Sequence, residues 1–149
     1  MKWGLIFVLM AGLLLGASPT KDEPVTSPQA GERTYAQNYK DMVLATCIAD
    51  AYRNDHGAAV DAGSSVSALR DWTYYDMDKS PDAIQALVDR YLRRDYYNPL
   101  AEAEQKGIKF DLLKCLDLYH SKELEAQVRR FVLKPDHTYR QDNPPKHIK

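Results

Sequence analysis

The run FDLLKCLDLYHSKELEAQVRRF, residues 110–131, is rich in leucine and is interrupted once, at a His-Ser-Lys sequence. Apolar side chains recur three or four residues apart on both sides of this interruption, a spacing typical of helices that bury one face. The first stripe is Leu112, Cys115, Leu116 and Tyr119, and the second is Leu124, Val128, Phe131 and Val132. The run therefore predicts two helices, with Ser121 placed to cap the second.

A helix with a clear start signal is predicted near the beginning of the body. The sequence TYAQ is a capping box, in which the side chains of Thr34 and Gln37 each bond the other's backbone amide. The residues that follow, as far as Asn54, are apolar on nearly every side of a helix. Because such a helix must be surrounded by others, we expect it to be the central one.

Two more helices are predicted in the middle of the chain. The segment HGAAVDAGSS, residues 56–65, indicates a connection, after which Val66, Leu69 and Trp72 suggest a helix as far as about Asp76. Ser80 is expected to cap the next helix, with Pro81 in its first turn. Its apolar stripe is Ile84, Leu87, Val88, Tyr91 and Leu92. Since no segment alternates as a strand does, we predict one all-α domain, a bundle of four to five helices over residues 34–133.

The two ends of the chain have a different composition from the body. Residues 1–17, MKWGLIFVLMAGLLLGA, have the layout of a signal peptide cleaved after Ala17, and the alternative of a membrane anchor would need about 20 apolar residues. Residues 18–33 and 134–149 are rich in proline and polar residues, so we expect a flexible lead-in and a flexible tail. The sequence thus predicts an exported protein.

The charge balance excludes some classes of partner. Cleavage of the predicted signal peptide removes Lys2 and leaves 19 basic and 21 acidic residues, a formal charge of −2. Nucleic acids and anionic membrane surfaces are bound mainly by basic surfaces, so neither is expected as a partner here.

The chain has two cysteines, Cys47 and Cys115, each on the apolar side of a predicted helix. An even number of cysteines in an exported protein favours a disulfide bond, and the alternative is two buried free thiols. On the chain-entropy model, a bond between Cys47 and Cys115, which closes the chain between them into a loop, would stabilise the fold by about 4 kcal/mol.

Chemistry at the interrupted run is not supported by the spacing of its residues. Cys115 lies in a leucine stripe, whereas a nucleophilic cysteine needs an exposed site that favours the thiolate. His120 and Ser121 are adjacent, so their side chains diverge on a helix. The sequence also has no His-Glu-x-x-His motif, no cysteine pair at metal-ligand spacing and no glycine-rich phosphate loop. We therefore predict no catalytic, metal-binding or cofactor-binding residues, and a protein that is not an enzyme.

Three blocks of the sequence resemble a known family. ATCIADAY (45–52), LVDRYL (87–92) and above all FDLLKCLDLYHSKELEAQV (110–128) are similar to the type VI secretion amidase-immunity family, fourth group. Cys47 and Cys115 match the cysteine positions of that family. The resemblance implies a small helical protein of the periplasm that forms homodimers and has no catalytic activity. It also implies a partner, a secreted peptidoglycan amidase of the papain-like cysteine peptidase type, whose substrate groove the immunity protein blocks to protect producer and kin cells.

Two segments are candidates for contact with that partner, because loops often host binding sites and aromatic residues often anchor interfaces. DYYNPLAEAEQKG, residues 95–107, offers two aromatic anchors and three polar groups: Tyr96, Tyr97, Asn98, Glu102 and Glu104. DWTYYDMDKS, residues 71–80, offers Tyr74, Tyr75, Asp76 and Asp78. The alternative for either tyrosine pair is one ring in the core and the other in a dimer contact.

A second function stays open at this point. A periplasmic helical adaptor or chaperone for an endogenous envelope protein would have the same composition and the same export signal.

Overall fold

The computed structural model describes residues 28–144, and every structural statement concerns this range. A 3₁₀ helix, Gln29–Glu32, precedes seven α-helices. These are α1 (Tyr35–Ala51), α2 (His56–Asp71), α3 (Ser80–Leu92), α4 (Pro99–Glu104), α5 (Asp111–Tyr119), α6 (Lys122–Phe131) and α7 (Tyr139–Asp142). Two isolated bridges, Thr34 with Thr138 and Tyr75 with Val132, are the extended pairings in this range. The prediction of an all-α domain is confirmed: five helices are long, and α4 and α7 are short additions.

The core forms around α1, which packs against α2, α3, α5 and α6. Its buried residues include Tyr35, Tyr39, Met42, Val43 and Cys47, which together cover more than one face. α3 and α6 bury the apolar stripes predicted for them in the same core. The prediction that α1 is the central helix is therefore confirmed.

Two of the predicted helix starts have the expected caps. The Thr34 hydroxyl accepts a hydrogen bond from the Gln37 amide at 3.2 Å, and the Gln37 side chain accepts one from the Thr34 amide at 2.9 Å. The Ser121 hydroxyl accepts a hydrogen bond from the Leu124 amide at 3.1 Å. Both caps bond amide groups that have no partner within their own helix.

A disulfide bond joins Cys47 of α1 to Cys115 of α5, with the two Cα atoms 5.6 Å apart. Both residues are fully buried. The bond thus ties the central helix to α5, and the disulfide prediction is confirmed.

The prediction for the second helix was wrong at its start. Residues 56–65, expected to be a connection, form the first turns of α2, which ends at Asp71 rather than near Asp76. The Asp55 carboxylate caps this helix by accepting from the Ala58 amide at 3.1 Å. The small residues that indicated a break instead allow α2 to pack along α1, and such tertiary contacts override weak helix propensity.

Ser80 also differs from its predicted role as a cap. It is fully buried inside the first turn of α3, and its hydroxyl lies 2.8 Å from the hydroxyl of Tyr39. The amides at this end are bonded instead by the Asp76 carboxylate, which accepts from Asp78 and Lys79. Ser80 therefore joins α3 to the central helix.

The buried face of α5 is not the predicted leucine stripe. Cys115 and Leu118 are fully buried, as is most of Lys114, whereas three leucines of the same helix are about half exposed. These are Leu112, Leu113 and Leu116. Because Cys115 faces α1 in the disulfide bond, the leucines on either side of Cys115 on the helix surface face solvent.

Ordered contacts extend beyond both predicted ends of the body, Thr34 and Leu133. The carbonyls of His137 and Pro135 accept hydrogen bonds from the Tyr35 and Ala36 amides, at 2.8 and 3.0 Å. The tail therefore bonds the first free amides of α1, which sequence spacing does not reveal. On the other side, a side chain at Gly31 would lie within 3 Å of the Trp72 ring, so the lead-in packs closely there.

Residues 1–27 and 145–149 lie outside the described range, and with them the predicted signal peptide and parts of the lead-in and tail. Within residues 28–144, none of the helices combines the length and apolar character that crossing a bilayer requires.

Candidate partner-binding site

The connection between α3 and α5, residues 93–110, contains the first candidate segment and the short helix α4. We call it the α3–α5 connection. Asn98 caps α4 by accepting from the amides of Leu100 and Ala101, at 3.0 and 3.4 Å, and Pro99 takes the first helical position. Gly107, with φ of 77°, and Phe110, with φ of 53°, turn the backbone back towards α5. The cap, the proline and the two turns thus give the connection a defined backbone conformation, although no residue of α4 is buried.

Two large side chains of this connection are mostly exposed. Tyr97 is 72% exposed and Leu100 is 80% exposed, although both are of the type that proteins usually bury in part. They lie three residues apart at the start of α4. The structure thus presents an aromatic and an aliphatic side chain on one short, capped element. The sequence does not single out Leu100, because a leucine in a short helix is normally expected to face the core.

The polar candidates of the same connection are engaged within it. The side-chain oxygen of Asn98 forms the cap just described, and the Glu102 carboxylate accepts from the Gly107 amide at 3.2 Å. Glu104 is exposed. Asn98 and Glu102 therefore shape the connection, whatever further contacts they make.

Tyr96 is directed towards the body rather than away from it. Its hydroxyl donates a hydrogen bond to the Asp117 carboxylate on α5, and its ring centroid lies 6.0 Å from the Lys114 ammonium. The two neighbouring tyrosines thus differ: Tyr96 is held by α5, and Tyr97 is free to contact another molecule.

An apolar groove lies beside the connection. It has a volume of about 580 Å³ and is open to solvent. Its apolar lining comprises Tyr52, Ile108, Phe110, Leu112, Leu113 and Leu116. Phe110 and Leu113 also line a second hollow beneath Tyr96 and Tyr97. The exposed leucines of α5 and the α3–α5 connection therefore form one continuous surface.

The second candidate segment, between α2 and α3, is joined to the rest of the chain by its own side chains. Tyr74 packs on Tyr35 with ring centroids 4.9 Å apart, and Tyr75 packs on Tyr39 at 5.6 Å. Burial raises the pKa of Tyr75 above its usual range. The Asp76 amide donates to the Phe131 carbonyl at 2.9 Å. Of the four candidates in this segment, Tyr74 and Asp78 are exposed, and the Asp78 amide donates to the Asp76 carboxylate at 3.1 Å.

Burial and hydrogen bonding also shift the pKa values of the tyrosines beneath this segment. The pKa of Tyr39 is raised to about 12, chiefly by burial. The pKa of Tyr35 is also raised to about 12, first by burial and then by its hydrogen bond to the Asp142 carboxylate. Both hydroxyls are thus held in the neutral, hydrogen-bonding form.

The residues of the interrupted run have structural contacts. Cys115 is in the disulfide bond, Ser121 caps α6, and the His120 ring lies against Tyr119 with centroids 5.1 Å apart. In the part of the chain that the structure describes, no three His, Cys, Asp or Glu side chains come together as a metal site would require.

The fold and this surface define a class: a small all-α domain with one disulfide bond and an exposed aromatic connection. The Tai4 family model, described as type VI secretion system (T6SS), amidase immunity protein, matches residues 37–128. This match covers well over half of the chain, so the chain belongs to the Tai4 family of T6SS amidase immunity proteins. The family resemblance seen in the three sequence blocks is thereby confirmed.

Solved structures agree with this assignment. A chain from work on "New Type VI-secreted toxins and self-resistance proteins in Serratia marcescens" is 28% identical, with a TM-score of 0.71 over 84% of this chain and 98% of that one. A chain from the effector–immunity system Tae4/Tai4 of Salmonella typhimurium shares the fold at 20% identity, with a TM-score of 0.61 over 70% of this chain and 96% of that one. None of the curated proteins matches the sequence.

Proposed function

We propose that this immunity protein acts in the periplasm, where it binds a T6SS-delivered peptidoglycan amidase and blocks its substrate groove. The target is a papain-like cysteine peptidase, and the immunity protein has no catalytic activity of its own. The export signal that the sequence predicts at residues 1–17 supports the location, and membership of the amidase immunity family supports the partner.

The observation that carries the mode of binding is the exposure of Tyr97 and Leu100 on a capped element. A groove is blocked well by a projecting element whose anchors are already ordered, because little conformational entropy is then lost on binding. The α3–α5 connection has this form. The segment between α2 and α3 fits less well, because both of its tyrosines pack against rings of the body.

We expect the cognate amidase to be encoded beside the gene for this chain, and the proposal is tested with that amidase. We expect the two purified proteins to co-elute from a size-exclusion column, and peptidoglycan hydrolysis to fall as the immunity protein is added. Separate elution together with undiminished hydrolysis would contradict the proposal. Such a result would favour an adaptor or chaperone of the envelope instead.

We also propose that the protein is a homodimer, as the family resemblance implies. The half-exposed leucines of α5 support a dimer surface, since apolar faces of this kind are more often covered than left in water. The substitution Leu112→Glu should lower the mass measured by sedimentation to that of a monomer. An unchanged dimer mass would place the interface elsewhere, and a monomeric unmodified protein would exclude the dimer.

A further inference from the structure

A nearly buried positive charge lies at the base of the α3–α5 connection. Lys114 is 4% exposed, and its ammonium group donates to the Asp111 carboxylate at 2.8 Å and to the Leu92 carbonyl at 3.2 Å. A charge in the interior is strongly unfavourable unless it is paired and hydrogen-bonded in this way. The position of these partners therefore indicates what the lysine holds together.

The two partners lie at the two ends of the connection. Leu92 is the last residue of α3, and its carbonyl belongs to the last turn, where helices have no partners of their own. Asp111 is the first residue of α5. One side chain thus joins the point where the connection leaves the body to the point where it returns.

The same helix also holds Tyr96 from two sides. The Tyr96 ring faces the Lys114 ammonium, and its hydroxyl donates to Asp117, which is three residues after Lys114 and therefore on the same face of α5. Tyr97, the next residue, is one of the two exposed anchors. The direction of Tyr97 thus depends on how Tyr96 is fixed.

We propose that Lys114 and Tyr96 are positioning residues, which hold the α3–α5 connection in its binding conformation before the partner arrives. Lys114 fixes the two ends of the connection, and Tyr96 fixes the backbone beside Tyr97. This inference rests on the proposed function for its partner, the amidase. The order of the connection itself is a property of the free protein and is measured without the amidase.

The first test is hydrogen–deuterium exchange of the free protein with the substitution Lys114→Met. We expect amides of residues 98–107 to exchange roughly tenfold faster, because the open form of the connection becomes more populated, while α1 and α3 keep their protection. Lys122→Met is the matched control, since it removes the charge of an exposed lysine on α6. Equal exchange in the two variants would overturn the proposal.

A residue with a merely structural role would change thermal stability alone. Replacement of both members of a buried ion pair by apolar residues is often neutral for stability, whereas removal of one member leaves the other charge unpaired and destabilises the fold. Asp111, left without the lysine, remains at the amino-terminal end of α5, where a carboxylate is favoured. We therefore expect some loss of Tm in Lys114→Met, and a positioning role requires faster exchange in residues 98–107 as well. Loss of Tm without that faster exchange would contradict a positioning role.

The second test is the rate of association with the amidase encoded beside this gene. We expect Lys114→Met to lower the association rate constant roughly tenfold, in proportion to the fraction of molecules with an ordered connection. Tyr96→Phe, which removes one hydroxyl, should lower it less and decides the question if Lys114→Met does not fold. Lys122→Met should bind as the unmodified protein does.

Different results would contradict the proposed function and the positioning inference. If the unmodified protein does not bind the amidase, the proposed function fails, whereas faster exchange in Lys114→Met still supports the ordering role. If the unmodified protein binds and Tyr97→Ala weakens binding, but neither Lys114→Met nor Tyr96→Phe changes exchange or association, the positioning inference alone is overturned.

Discussion

Two connections of this domain each contain a pair of adjacent tyrosines, yet the structure uses the pairs differently. In the connection between α2 and α3, Tyr74 and Tyr75 pack on rings of α1. In the α3–α5 connection, Tyr96 contacts α5 and Tyr97 is mostly exposed. The difference arises from what lies beneath each pair. The tail and the residue after α6 contact the first pair, whereas α5 holds Tyr96 of the second through Lys114 and Asp117. A similar local sequence can therefore serve stability in one place and, as we propose, recognition in another.

The largest effect should come from the disulfide bond, which ties α5, the support of the second pair, to α1. The double substitution Cys47→Ser and Cys115→Ser should lower the free energy of unfolding by about 4 kcal/mol, since the unfolded chain loses its cross-link. Urea unfolding monitored by circular dichroism measures this, with the unmodified protein before and after reduction as the control. Equal midpoints for variant and unmodified protein would count against a stabilising bond.

A smaller loss of stability should follow from Tyr75→Ala. The ring is half-buried against Tyr39, so its removal should cost about 2 kcal/mol of unfolding free energy through lost apolar contact. Amidase affinity of the folded variant should stay the same. Weakened affinity with unchanged stability would reverse the roles assigned to the two connections.

Tyr97→Ala should show the opposite pattern. We expect the affinity for the amidase to fall by about 1–3 kcal/mol, as for a typical interface anchor, with little change in Tm because the ring is exposed. Calorimetric titration and a melting curve measure the two quantities. A large drop in Tm would mean that Tyr97 belongs to the core in solution.

The pH dependence of stability should report on the first pair and its neighbours. The pKa of Tyr39 is about 12 in the folded protein, against 10.0 for an unperturbed tyrosine, so the folded state holds this proton more tightly. Its contribution to stability is complete below pH 10 and is lost as the pH rises from 10 towards 12. The Tm should therefore fall in that window, and Tyr39→Phe should make the fall shallower. A Tm that is flat through this window would contradict the burial of the hydroxyl.

The sequence predicts the parts of this fold that depend on local signals. The capping box at Thr34, the cap at Ser121 and the stripe of α3 each follow from residues a few positions apart. The start of α2 was missed because its small residues are helical only through packing along α1. The contacts of the tail with α1 join residues about 100 positions apart, which no local pattern encodes.

The exposed, shaped segment that forms the candidate site was predictable from the sequence, but the contacts of its two tyrosines were not. Proline, asparagine and two tyrosines at residues 96–99 indicate an exposed, shaped segment, and the structure has one there. Tyr96 and Tyr97 differ because α5 lies on the side of the connection towards which Tyr96 points, so that Tyr97 faces solvent. That side is set by the disulfide bond and by Lys114, whose burial contradicts what its residue type suggests.

The most direct test of the account is hydrogen–deuterium exchange of the immunity protein with and without the amidase encoded beside its gene. We expect bound amidase to slow exchange in residues 95–107 and to leave exchange in residues 72–79 unchanged. Slower exchange confined to residues 72–79, or no change in either segment at saturating amidase, would contradict this expectation.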